Sequence, residues 1–161
     1  MTKEDRELLL QYLCACIPYG IIILHEGWNY EWDDSFSTVE RVVGIDENFI
    51  YTKVIDTHNG EEYRKDKHSI DLFDDKLYLR PMSFMTEEEK KELSKKYNWR
   101  MNGVIQIRHH ADGYWDDDTE CSAEDYLWLF DWLNAHHFDY RGLIPRGLAI
   151  EVTKENNPYK L

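Results

Sequence analysis

Residues 21–70 alternate with the period of a β-strand and are punctuated by turn residues, which limits this stretch to a meander of short strands. Ile21, Ile22, Ile23 and Leu24 form a short apolar run. Trp28, Tyr30 and Trp32 alternate with Asn29, Glu31 and Asp33, so three large aromatics share one face of an extended segment, and the core is their expected place. Residues 39–45 and 49–55 are β-rich and are joined by a three-residue turn at Asp46, Glu47 and Asn48. Asn59-Gly60 marks a tight hairpin into residues 62–70. An antiparallel meander of this size needs a bend or a covering helix to protect its edges. The expected fold is therefore α+β: a small curved antiparallel sheet, SH3-like in its meander, packed with two or three helices.

The helices come from the flanks. Leu9, Tyr12, Leu13, Cys16 and Ile17 form an apolar stripe of helical period over residues 1–17, with Thr2 as N-cap and Pro18, Tyr19 and Gly20 as the stop. Leu77 to Arg80 reads as a strand ended by Pro81. Thr86 and Glu89 have the spacing of a capping box, opening a helix over residues 86–97 whose few apolar positions place it on the surface. Residues 103–152 read as strand, helix and strand: a strand at 103–108, an acidic loop at 109–120, a helix capped by Ser122 and ending near Asn134, and a final strand at 148–152. Residues 154–161 read as a fraying tail, and residues 1–161 as a single domain. No apolar run approaches the ~20 residues of a membrane span, and the polar start of the chain lacks a signal-peptide core.

Charge excludes one class of partner. The chain has 32 acidic and 19 basic residues, a net charge of −13. Nine of the acids fall in residues 109–139, which hold no Lys or Arg. Binding to DNA, RNA or an anionic bilayer draws on cations that this chain does not supply. A basic protein partner fits better. Gly27-Trp28-Asn29-Tyr30-Glu31-Trp32-Asp33-Asp34 and Gly113-Tyr114-Trp115-Asp116-Asp117-Asp118 both set aromatics among acids, a composition suited to an Arg- or Lys-rich surface. The candidate partner-binding residues are Tyr114, Trp115, Asp116, Asp117 and Asp118. One specific form of this reading has the carboxylates stand in for phosphates in the nucleic-acid groove of a basic host protein. Homodimerisation through exposed aromatics is a third reading.

Two stretches carry a resemblance. The run LYLRPMSFMTEEEKK at residues 77–91 and the run WLNAHHFDYRGLI at 132–144, followed by GLAIE at 147–151, resemble signatures of a group of small proteins from gut-bacterial genomes and their phages. The helix ending in Leu13-Cys14-Ala15 before Pro18-Tyr19-Gly20 is similar to theirs as well. That group has no assigned activity, so the resemblance implies a context, a cytoplasmic accessory protein of a phage or mobile element, and no mechanism.

Catalytic and metal motifs are sparse. There is no G-x-S-x-G, P-loop, G-x-G-x-x-G or H-E-x-x-H, so no catalytic residue and no cofactor is assigned. His109-His110 and His136-His137 lie near Asp112, Asp116 and Cys121 in sequence. His110 and His136 would be the metal ligands of the alternative function, a small metal-assisted hydrolase. Adjacent residues of a strand face opposite ways, however, and neither pair has the i, i+4 spacing of a helical ligand set. Asp116-x-Asp118-x-Glu120 begins like a calcium loop and then fails, with Cys121 where Gly is required. Cys14, Cys16 and Cys121 make an odd number and suggest reduced thiols, with Cys14 and Cys16 as small packing residues. In the run Asp139-Tyr140-Arg141-Gly142, the expected role is a polar staple holding the last strand on the third helix.

Overall fold

The computed structural model describes residues 1–29, 33–58, 67–70, 75–97 and 123–160. In chain order the elements are α1 (Lys3–Cys16), β1 (Ile22–Asn29), β2 (Asp34–Ile45), β3 (Phe49–His58), β4 (Lys67–Ser69), β5 (Lys76–Leu79), α2 (Glu87–Tyr97), α3 (Ala123–Ala135) and β6 (Ala149–Glu151). The strands form one six-stranded sheet in the order β4-β3-β2-β1-β5-β6. Three helices and one sheet make the fold α+β, as the period switches imply. Among the described residues no helix is long and apolar enough to cross a membrane.

Local chemistry sets the element ends. The Thr2 hydroxyl accepts from the Asp5 amide at 3.1 Å, and the Asp5 carboxylate accepts from Thr2, which closes a capping box on α1. Thr86 and Glu89 do the same for α2, at 3.2 and 2.7 Å. Gly20 ends the first helical segment with φ of 71°, a backbone state that costs glycine little. Asp46 holds the β2–β3 turn by accepting from the Asn48 and Phe49 amides, each at 2.8 Å.

Four corrections arise. The sheet is mixed, because β6 runs parallel to β5, with Leu77, Tyr78 and Leu79 opposite Ala149, Ile150 and Glu151. The long connection through α2 and α3 supplies the crossover that a parallel pair requires. In the expected tail, Tyr159 is packed against the sheet. Tyr159 donates to the Tyr78 carbonyl at 2.7 Å and stacks on His137 with ring centroids 3.8 Å apart. Trp28 is 49% exposed: it shares the face of Ile22, Leu24 and Glu26, opposite the one that α1 covers at Ile21 and Ile23. Cys14 is exposed while Cys16 is buried against Asn134, so one of the two thiols packs. Burial pushes the Cys16 thiol up to about 12. The expected positions of Tyr30, Trp32, the Asn59-Gly60 turn, the 103–108 strand and Ser122 lie outside the described residues.

Apolar side chains are buried on both faces of the sheet: Ile22, Tyr78 and Val152 cluster on the side opposite Ile21, Ile23, Leu77 and Leu79. Ile21, Ile23, Val42, Ile50, Leu77 and Leu79 meet Leu9, Tyr12, Leu13 and Cys16 of α1. A second cluster joins Met85, Leu93, Leu129, Trp132, Leu133 and Phe138, so α2, otherwise polar, is anchored by Leu93 against α3. The Tyr12 hydroxyl ties the two by donating to the Phe138 carbonyl at 2.6 Å in the buried interior. Phe138 also bridges to Arg80 in parallel, with Asp139 donating to the Arg80 carbonyl at 2.8 Å. Asp139 in turn accepts from the Leu143 and Ile144 amides at 2.7 and 2.8 Å, so the Asp139–Gly142 run does hold the turn leading from α3 towards β6.

Tyr12→Phe removes one of two donors to the Phe138 carbonyl, which keeps the Tyr140 amide at 3.0 Å, and costs about 1 kcal/mol in urea unfolding. Leu127→Ala, at a side chain 67% exposed, shifts stability by less than about 0.5 kcal/mol. Equal effects from the two would contradict the assigned contact.

Candidate functional site

The face that is apolar under α1 turns polar further along each strand. Cross-strand register places Ile23 opposite both Glu40 and Leu77, His25 opposite Thr38, and Ile50 opposite His68. Residues two apart share a face, so His25 follows Ile23, Thr38 and Glu40 precede Val42, Thr52 follows Ile50, and Asp75 precedes Leu77. Thr38, Glu40, Thr52, His68 and Asp75 are all buried. The chain thus collects two imidazoles, two carboxylates and two hydroxyls on one inner surface.

Glu40 sits at the middle, with no exposed side chain. Thr38 donates to its Oε1, Thr52 donates to Oε2 at 2.6 Å, and His68 Nε2 lies 2.7 Å from Oε2. Burial by itself would raise this carboxyl, but the hydrogen bonds from His68, Thr38 and Thr52 outweigh it and hold Glu40 below the usual carboxylate range. A register shift between Val39 and Glu40 marks a bulge on β3, where Ile55 is the extra residue, and it bends that strand opposite Glu40. His25 Nδ1 lies 2.6 Å from Asp75 Oδ1. His68 Nδ1 lies 3.1 Å from Asp75 Oδ2, yet outside hydrogen-bond geometry, and that buried oxygen receives no hydrogen bond from the described residues. The two imidazole rings meet edge to face, 4.7 Å apart. Gly27 lets Phe36 lie across β1 beside His25, since a Cβ there would stand 2.4 Å from the Phe36 ring.

The contact between His68 and Asp75 measures the curl of the sheet. β4 and β5 are separated by three strands, which in a flat sheet would put them roughly 19 Å apart. The open sheet therefore bends until its β4 edge meets the residue leading into β5.

A second feature lies on the outside. A cleft of about 700 Å³ is lined by residues including Arg80, Phe84, His136, His137, Lys154 and Tyr159. Its polar groups are largely committed. Arg80 makes a two-pronged pair with Glu89 at 2.7 and 2.9 Å and covers the Phe138 ring. His136 stacks on Trp132 at 3.9 Å, with Nδ1 2.8 Å from the Trp132 carbonyl. His137 has φ of 57° and is buried. Burial first, then the neighbouring His136 and Arg80, lowers it from 6.5 to about 4, so it is neutral at pH 7.

Of the residues singled out in sequence, Tyr114, Trp115, Asp116, Asp117, Asp118 and His110 lie outside the described residues. His136 is described, and no carboxylate or second ligand joins it: the metal-capable grouping among the described residues is His25, His68 and Asp75. Those three were missed because they are dispersed along the chain. Their signal was phase: each is polar at a position where its strand's alternation points inward. Comparisons with protein-family models, curated proteins and solved structures find no match to this chain.

Because unfolded chain takes up the His137 proton near pH 6.5 and folded chain only near pH 4, the folded state loses stability as pH falls through that window. Above 6.5 the contribution is fully present, and at the acid end about 3 kcal/mol is lost. His137→Asn, which tolerates the left-handed backbone, flattens this part of the melting-temperature profile between pH 6.5 and 4. Parallel profiles for the two proteins would refute the assignment.

Proposed function

We propose that this chain is a non-catalytic interaction module that binds a basic protein partner through an acidic, aromatic surface. The observation that supports it is Trp28, which stands 49% exposed on β1 where a core position was expected. Exposed Glu26 precedes it, and exposed Asp33 and Asp34 follow across the β1–β2 connection, with Asn29 opposite Asp34. An exposed aromatic ring with acidic residues nearby in the chain suits a guanidinium or ammonium group, through contact with the ring face and charge-assisted hydrogen bonds. On this reading the curled β1–β4 meander is an SH3-like platform, and Tyr114, Trp115, Asp116, Asp117 and Asp118 add a second acidic, aromatic segment. A cytoplasmic role in a phage or mobile element rests on the sequence resemblance alone. The metal-assisted hydrolase built on His110 and His136 gains no support, because His136 is held against Trp132.

Fluorescence anisotropy with arginine-rich and lysine-rich peptides of equal charge tests the reading. The arginine peptide is expected to bind more tightly, Trp28→Ala to weaken it by roughly two- to fivefold, and Asp116→Asn with Asp117→Asn and Asp118→Asn to lower both affinity and salt sensitivity. Equal binding of both peptides, unchanged in Trp28→Ala, would mean that bulk charge alone is at work.

A further inference from the structure

We infer that His25, His68 and Asp75 form a binding site for one divalent transition-metal ion, which ties β1, β4 and the start of β5 together. Three observations carry this. The first is composition and proximity. One ligand atom from each residue lies within 4.8 Å of the others, all three residues are buried or nearly so, and two imidazoles with a carboxylate select a borderline ion such as Zn²⁺ over Mg²⁺ or Ca²⁺. Ligand atoms about 2.0–2.1 Å from a tetrahedral ion stand roughly 3.3 Å apart, so His68 Nδ1 and Asp75 Oδ2, at 3.1 Å, already have nearly that spacing. His25 Nδ1, at 2.6 Å from Asp75 Oδ1, needs to move by less than about 1 Å to match it.

The second observation is Asp75 Oδ2. It belongs to a side chain that is 3% exposed, and it receives no hydrogen bond from the described residues although an imidazole nitrogen stands beside it. A buried carboxylate oxygen without a donor is costly, and a cation in the gap removes that cost. The third is the outer arrangement. Metal-bound histidines characteristically give their other ring N–H to a carboxylate, which fixes the ring and its tautomer. His68 does this through Nε2 to Glu40, and Glu40 is itself fixed by the hydroxyls of Thr38 and Thr52. Nδ1 is thereby left 3.1 Å from Asp75 Oδ2.

The ion joins elements that backbone pairing leaves apart. β4 pairs with β3, and β1 and β5 lie beyond β2, so a metal on His68, His25 and Asp75 clasps the curled sheet across its opening. Binding is therefore linked to folding, and the melting temperature should rise with metal concentration.

The test uses full-length chain without a histidine tag, stripped by chelator, and Zn²⁺ alone as the probe. Calorimetric titration is expected to give one ion per chain, with a higher melting temperature on saturation. Asp75→Asn and His25→Gln should abolish that binding, and Glu40→Gln should weaken it by roughly 10–100-fold. The double variant His110→Ala with His136→Ala should retain it. Far-UV circular dichroism and a cooperative melt establish that each variant folds, and Co²⁺ absorption on the wild-type chain reads the ligand set independently of variant folding. No zinc binding by wild type, binding that survives Asp75→Asn and His25→Gln, loss in the His110/His136 double variant, or a Co²⁺ spectrum showing thiolate ligation would each overturn the site.

Discussion

A carboxylate with no exposed surface has to be supplied with donors, and Glu40 receives them from three different strands: Thr38 on β2, Thr52 on β3 and His68 on β4. That requirement ties side-chain chemistry to strand geometry. A one-residue slip of register would turn Glu40 to the outer face and leave His68 and Thr52 buried without their acceptor. The bulge opposite Glu40 and the curl that brings His68 to Asp75 belong to the same constraint, because a flat sheet could not gather these groups. Apolar packing under α1 supplies most of the driving force for folding, and the polar half of the face selects the register.

Outside and inside therefore have different roles in this chain. The chain carries a net charge of −13 and leaves Trp28 half exposed. Acidic groups that turn inward are each matched by donors: Asp139 by two amides, Glu89 by Arg80 and the Thr86 amide, Glu40 by its three donors. Asp75 departs from that pattern, with one oxygen against His25 and the other lacking a donor, and this departure is what marks the inner cluster as a place for a cation. The external cleft shows the opposite behaviour: Arg80 is neutralised by Glu89 and His137 is kept neutral by burial.

Where local chemistry decides the outcome, the fold was legible in sequence. Both capping boxes, the Asp46 turn and the strand that ends before Pro81 depend on neighbours within a few residues. The parallel pairing of β6 was not legible, because it depends on where a long crossover returns. Tyr159 looked like part of a polar tail, and only the fold brings the Tyr78 carbonyl and the His137 ring to it. Trp28 was misplaced for a related reason: alternation groups residues onto one face but does not say which of the two faces a helix covers. Adjacent histidines drew attention to His136, whereas His25 and Asp75 become neighbours through the β1–β5 register and His68 joins them through curvature, neither of which a local pattern encodes. Their one local mark was inward phase in strands that are otherwise apolar at those positions.

The tautomer of His68 tests this account most directly, since everything at the inner face depends on which nitrogen faces Glu40. Long-range proton–nitrogen correlation on metal-free protein resolves the two ring nitrogens. The account predicts a proton on Nε2, donated to an ionised Glu40, with Nδ1 turned to Asp75. A bare Nε2, with Glu40 holding the proton instead, would contradict it.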